Sequence, residues 1–171
     1  MKKIELKEGD VFSIPLGNGE IGFGQIIVFP DKSTMIICVF DIKSDNDNNI
    51  DIEIICSSPI IFLGYTTDAK LYHQDWKIVG NYNKNIEEVV LPYNKIGVPP
   101  DNIFIANYKG QNLKEINEDI FNKLSYETNI APIRYENALK AYYKLQEWND
   151  DLYDKLLYRH TLKSKEVFDS L

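Results

Sequence analysis

The stretch from Lys7 to Ile27, KEGDVFSIPLGNGEIGFGQII, limits the fold more than any other segment, because Gly17-Asn18-Gly19 separates two β-rich runs. Asn-Gly between apolar runs signals a tight hairpin, since the favoured turns need positive φ at their centre. The second run carries Gly22 and Gly24 inside what reads as a strand. There, glycine lets the strand coil tightly or lets a side chain pack over bare backbone. A third run, TMIICVFDI, follows the turn-like PDKS, and IDIEII and PIIFLGYT read as two further short strands. Short strands with tight turns and no intervening helices predict a strongly bent antiparallel sheet or small barrel, and argue against a parallel α/β sheet.

The same glycines must be weighed against phosphate-binding loops. Gly17, Gly19 and Gly22 match G-x-G-x-x-G literally, but that fingerprint has to open a helix, and IGFGQIIVF alternates as a strand. A P-loop needs Lys and then Ser or Thr after its last glycine, and Phe23-Gly24 stand there. The run is therefore structural. In DNDNNID, Asp45, Asp47 and Asn49 occupy the first three ligand positions of a calcium loop. Ile50 replaces its required glycine and Cys56 its bidentate glutamate, which leaves a solvated polar loop from Lys43 to Asp51.

Among 171 residues the formal net charge is −7, which disfavours binding nucleic acid through its phosphates and suits a basic protein partner steered in by charge. No run approaches the roughly 20 apolar residues of a membrane helix. The opening MKKIELKEGD meets glutamate and glycine before any apolar run, so no signal peptide is expected and a cytoplasmic location is. Cys38 and Cys56, each in a β-branched run, read as buried free thiols. His73 and His160 lie far apart without a nucleophile context, and the pairs Glu87-Glu88 and Asp150-Asp151 sit in polar settings. No catalytic, cofactor-binding or metal-ligating set emerges.

Further along, WKIVGNY and NIFIANYKG read as strands, with GVPPDN a rigid turn, and INEDIFNKL as a short helix with Ile116, Ile120 and Leu124 on one face. APIRYENALKAYYKLQEW reads as a helix with Pro132 in its first turn and an apolar stripe of Ile133, Ala138, Ala141, Tyr142 and Leu145. Asn149 caps a second helix, DDLYDKLLYRH, with His160 near its basic C-terminus. Tyr142-Tyr143, Trp148, Tyr153 and Tyr158 crowd this region beside Glu147, Asp150, Asp151 and Asp154. They are either core aromatics beneath a wet acidic face, or aromatic anchors ringed by charge, as in protein–protein hot spots.

LKEGDVFSIPLGNGEIGFGQII resembles the opening of immunity protein family 26 of bacterial polymorphic toxin systems. The matches fall at Gly9, Asp10, Phe12, Ile14, Pro15, Leu16, Gly19, Gly22, Phe23 and Gly24, while Gln25 stands where arginine is frequent. Trp76 to Gly80, Leu91-Pro92 and IAPIRYENALKAYYKLQEWNDDLYDKLL are also similar to the family's pattern. The resemblance implies a single α+β domain over residues 1–171, mainly β through 110 and mainly α from 111, with a bent SH3-like sheet and C-terminal helices. It implies a protein that binds and neutralises a cognate bacterial toxin domain, with no catalytic residues. On this reading Asp45, Asp47, Glu147, Asp150, Asp151 and Asp154 contribute to a surface facing a toxin of basic character. Two alternatives stay open. GDVFSIP is also similar to the opening of RNA-cleaving toxin barrels, which need basic residues that this acidic chain has in deficit. A barrel module binding a small molecule or peptide would use a groove lined by Phe12, Phe23 and Trp76.

Overall fold

The hairpin signalled by Gly17-Asn18-Gly19 forms, with both glycines at positive φ and the Leu16 N–H donating to the Glu20 carbonyl at 3.0 Å. The computed structural model describes residues 4–45 and 50–171. In chain order its strands are β1 Asp10–Pro15, β2 Ile21–Val28, β3 Met35–Ser44, β4 Ile60–Thr66, β5 Lys77–Asn81, β6 Asn94–Val98, β7 Asp101–Ala106 and β8 Asn112–Glu115. Its helices are α1 Ile52–Ser57, α2 Ala69–Tyr72, α3 Glu118–Phe121, α4 Pro132–Tyr142, α5 Asp150–Tyr153 and α6 Tyr158–Asp169, giving an α+β protein. The chain divides into two compact units, one formed by the segment up to Val89 with Asn129–Leu157, the other by Val90–Thr128 with Tyr158–Leu171.

The first unit holds a five-stranded antiparallel sheet ordered β4-β3-β2-β1-β5. The first four strands follow one another as a meander, and β5 returns to the outer side of β1. The hydrogen-bonded order leaves β4 and β5 as the two edges, so the sheet is open. The expected strand IDIEII is instead α1. Asp51 accepts from the Glu53 N–H at 2.8 Å as an N-cap, and one helical turn buries Ile55 and Cys56 while Ile54 faces out. The cap overrides the β propensity of the isoleucines. The polar loop expected at Lys43–Asp51 is described only at its ends, and residues 46–49 lie outside the described residues.

The strand glycines are where α4 and the core come close to bare backbone. A Cβ on Gly24 would lie 2.5 Å from the Phe12 ring and 2.9 Å from the Cys38 carbonyl, and one on Gly22 would collide with Leu139 of α4. Phe12 stacks on Trp76 with ring centroids 5.0 Å apart and planes within 4°. The Trp76 indole N–H donates to the buried Glu136 carboxylate of α4 at 3.1 Å, and Lys140 and Lys70 pair with the same group at 2.9 and 3.4 Å. Tyr135 of α4 donates its hydroxyl to the Tyr65 carbonyl at 3.1 Å. Phe12, Phe23 and Trp76 are therefore core residues, exposed by 0%, 0% and 1%, and no aromatic groove is built from them.

Pro132 opens α4 as expected, but its buried face is Pro132, Tyr135, Glu136, Ala138, Leu139 and Ala141. Ile133 and Tyr142 of the expected stripe are 41% and 39% exposed, because the Tyr135 and Glu136 bonds fix the helix about its axis, and Leu145, 41% exposed, lies past the helix, which ends at Tyr142 and not near Trp148. The second expected helix is also divided. Asn149 caps α5, accepting from the Leu152 N–H at 3.2 Å, and a single 3-10 turn continues to Leu156. Leu157 then extends to bridge Phe62 on the edge of β4. The helix restarts as α6, so His160 lies in a first turn and not near a C-terminus.

In the second unit β6-β7-β8 form an antiparallel sheet, with the expected Pro99-Pro100 turn joining β6 to β7. Its core gathers Ile103, Ile105, Ile116, Phe121 and Leu124, with Ile120 and Phe168 packed against it.

Gly24→Ala should cost about 3 kcal/mol, because the new methyl meets a stacked ring and a strand carbonyl that cannot withdraw. Gly17→Ala meets nothing within 4 Å and should cost only about 1 kcal/mol from its positive φ. Midpoints of urea unfolding measure both.

Candidate partner-binding surface

The C-terminus of α4 turns back on itself through a Schellman arrangement. The Lys144 N–H donates to the Ala141 carbonyl at 3.0 Å, the Leu145 N–H to the Lys140 carbonyl at 2.9 Å, and Lys144 sits at φ 61°. This reversal brings Leu145, Glu147 and Trp148 beside Tyr142 and Leu157 around an open cleft of about 710 Å³. Trp148 is fixed on three sides. It stacks on Phe62 at 6.3 Å, meets Tyr153 edge-on at 5.4 Å, and donates its indole N–H to Asp150 at 2.9 Å.

The end of β3 supplies the other wall of this corner. Tyr142 and Tyr143 both donate their hydroxyls to Asp41, at 2.9 and 3.1 Å, so one carboxylate holds two neighbouring phenols. The Lys43 ammonium lies 5.1 Å above the Tyr143 ring and pairs with Glu20 at 2.9 Å.

Of the residues expected to face a partner, Glu147, Asp150 and Asp151 are exposed in the turn after α4 and in α5, and Asp154 is half-buried at the start of the 3-10 turn that follows. Asp45 is exposed directly after β3, on the alternation that also carries Asp41 and Lys43. Asp47 lies outside the described residues. The aromatics divide between the two readings: Tyr153 is core, Tyr142 and Trp148 reach the surface, and Tyr158 belongs to the second unit, where its hydroxyl accepts from the Val90 N–H at 2.9 Å. The residues that sequence reasoning missed are Asp41 and Leu145. The alternation in FDIKSD, which puts Asp41, Lys43 and Asp45 on one face, was the available signal for the first.

Charge is unevenly divided. The first unit carries 19 acidic against 12 basic residues and the second carries seven of each, so the net −7 resides wholly in the unit that bears the cleft. Cys38 and Cys56 are buried free thiols, and burial pushes Cys56 up to about 12 and Cys38 well above its ordinary value. Both are therefore protonated and unreactive near neutrality. Among the described residues no group of His, Cys, Asp and Glu is placed to hold a metal ion, and no helix is long and apolar enough to cross a membrane.

Burial first, and Asp41 second, raise the Tyr142 and Tyr143 hydroxyls above the ordinary 10.0. A raised folded value means that the clamp's contribution to stability is complete below pH 10 and is lost as pH rises through the folded values. In an ultraviolet titration, Asp41→Asn should bring both phenols down only part of the way, because burial remains. An unchanged titration would show that Asp41 does not hold them.

The family model described as Immunity protein 26 matches residues 7–99. Comparisons with curated proteins and with solved structures returned no match. The matched span contains β1 to β6, the glycines under Phe12 and Leu139, and Trp76. Since it covers more than half of the 171 residues, the chain belongs to the immunity protein 26 family.

Proposed function

We propose that the protein protects the bacterium that makes it by binding a cognate polymorphic toxin domain in the cytoplasm and blocking it. Family membership carries the reading, since an immunity protein acts as an inhibitor and needs no chemistry of its own. The acidic first unit supports a toxin of basic character, such as a nuclease whose substrate site is positive, because complementary potentials speed encounter and fix orientation. The surface proposed to meet it is formed by Asp45, Glu147, Asp150, Asp151 and Asp154 with the aromatic corner beneath them, and Asp47 belongs to the same proposal. The coiled five-stranded sheet is taken as an SH3-like small barrel left open between β4 and β5.

The test is co-expression with the toxin domain encoded in the neighbouring reading frame, followed by calorimetry of the purified pair. Wild type should rescue growth and bind. Asp150→Lys with Asp151→Lys should weaken binding about 100-fold at low salt, since each exposed acid facing a cation becomes a repulsion. Unchanged affinity at low salt would remove these two residues from the interface, and failure of wild type to rescue would remove the function.

A further inference from the structure

We propose that the cleft under the C-terminus of α4 is the anchor point of that interface and receives an arginine side chain from a basic protein partner. The inference rests on the binding role proposed above. Three features of the cleft select arginine. Its floor is apolar, formed by Tyr142, Leu145 and Leu157, and takes up the aliphatic stem of a long basic side chain. Trp148 presents an indole already held by Phe62, Tyr153 and Asp150, so stacking a guanidinium on it costs little further ordering. Glu147 lines the cleft, and among the described residues its carboxylate has no hydrogen bond or ion pair.

Nearby cations are already engaged: Lys140 pairs with Glu136 and Lys43 with Glu20. Lys144 lines the cleft with no ion pair among the described residues and opposes the incoming charge, while sitting in the left-handed region that a glycine would occupy without strain. A planar guanidinium fits better than an ammonium, because it stacks on an indole face while its fork engages a carboxylate through two N–H groups. The cleft is open and shallow, which suits a side chain presented by a protein surface.

The probe is a capped peptide, Leu-Arg-Leu, compared with its citrulline counterpart, which keeps the shape and removes the charge. Binding is followed by the indole N–H resonances of Trp148 and the buried Trp76. The arginine peptide should move the Trp148 signal and leave Trp76 in place, and the citrulline peptide should bind about five-fold more weakly. Glu147→Gln should weaken the arginine peptide about three-fold, and Lys144→Gly, which cannot be mistaken for a folding defect, should tighten it about two-fold. Equal binding of both peptides, free arginine amide binding as tightly as the peptide, or no response at Trp148 would overturn the proposal.

The toxin assay separates this inference from the role it rests on. If the toxin is neutralised equally by wild type and by Leu145→Ser with Glu147→Gln, the cleft is not the anchor and the immunity role stands. If wild type does not neutralise it, the role falls, and the peptide titration still decides whether the cleft accepts arginine. Glu5→Lys, on the separate cleft beside β5, is the charge control and should leave both readouts unchanged.

Discussion

The buried carboxylate of Glu136, accepting the indole N–H of Trp76, is the contact on which the arrangement of the first unit depends. A carboxylate taken out of water is tolerated only when its oxygens are satisfied, and here Trp76, Lys140 and Lys70 do so. Lys70 is itself drawn in. Burial would lower its pKa, but the bonds to Asp75 and Glu136 outweigh that and raise it. Trp76 in turn is held flat against Phe12, and Phe12 fits only because Gly24 offers no side chain. Leu139 and Tyr135 meet the sheet at two further bare glycines, Gly22 and Gly64. Helix, indole and strand are thus mutually fixed, with little freedom for the helix to slide or roll.

The consequence for function lies at the far end of the same helix. Fixing the roll of α4 turns Tyr142 and Tyr143 toward Asp41, and turns Leu145 outward at the reversal where the chain passes into Trp148. Aromatic rings held by hydrogen bonds and stacking lose little entropy when a partner covers them, which is the property of an interaction anchor. The acids around them are mostly exposed and are individually worth little to folding. Their value in the proposed role is long-range: gathered on a unit that carries the whole net charge, they would attract a basic partner and orient it.

The glycine-rich opening was legible because its meaning is local: positive φ in the turn and close packing over the strand both follow from the absence of a Cβ. The capping roles of Pro132 and Asn149 were legible for the same reason. What escaped was decided at a distance. The six residues of α1 have an apolar run too short to show a period, and the Asp51 cap chose the helix. The buried face of α4 was misassigned because Glu136 looks like a solvent residue until Trp76, 60 positions away, is seen to donate to it. The acidic residues of the proposed surface were visible as composition, but Asp41 joins them only through tyrosines 101 and 102 positions away. The second unit is assembled from two segments separated by α4 and α5, so no boundary in the sequence announces it.

The corner built on the end of α4 is proposed as the place where the toxin binds. Amide hydrogen exchange of the full chain, free and saturated with its toxin domain, measures this most directly. Slowed exchange concentrated in residues 141–151 and at the end of β3 is the predicted result. Protection confined to 90–128, with 141–151 exchanging as in the free protein, would contradict it.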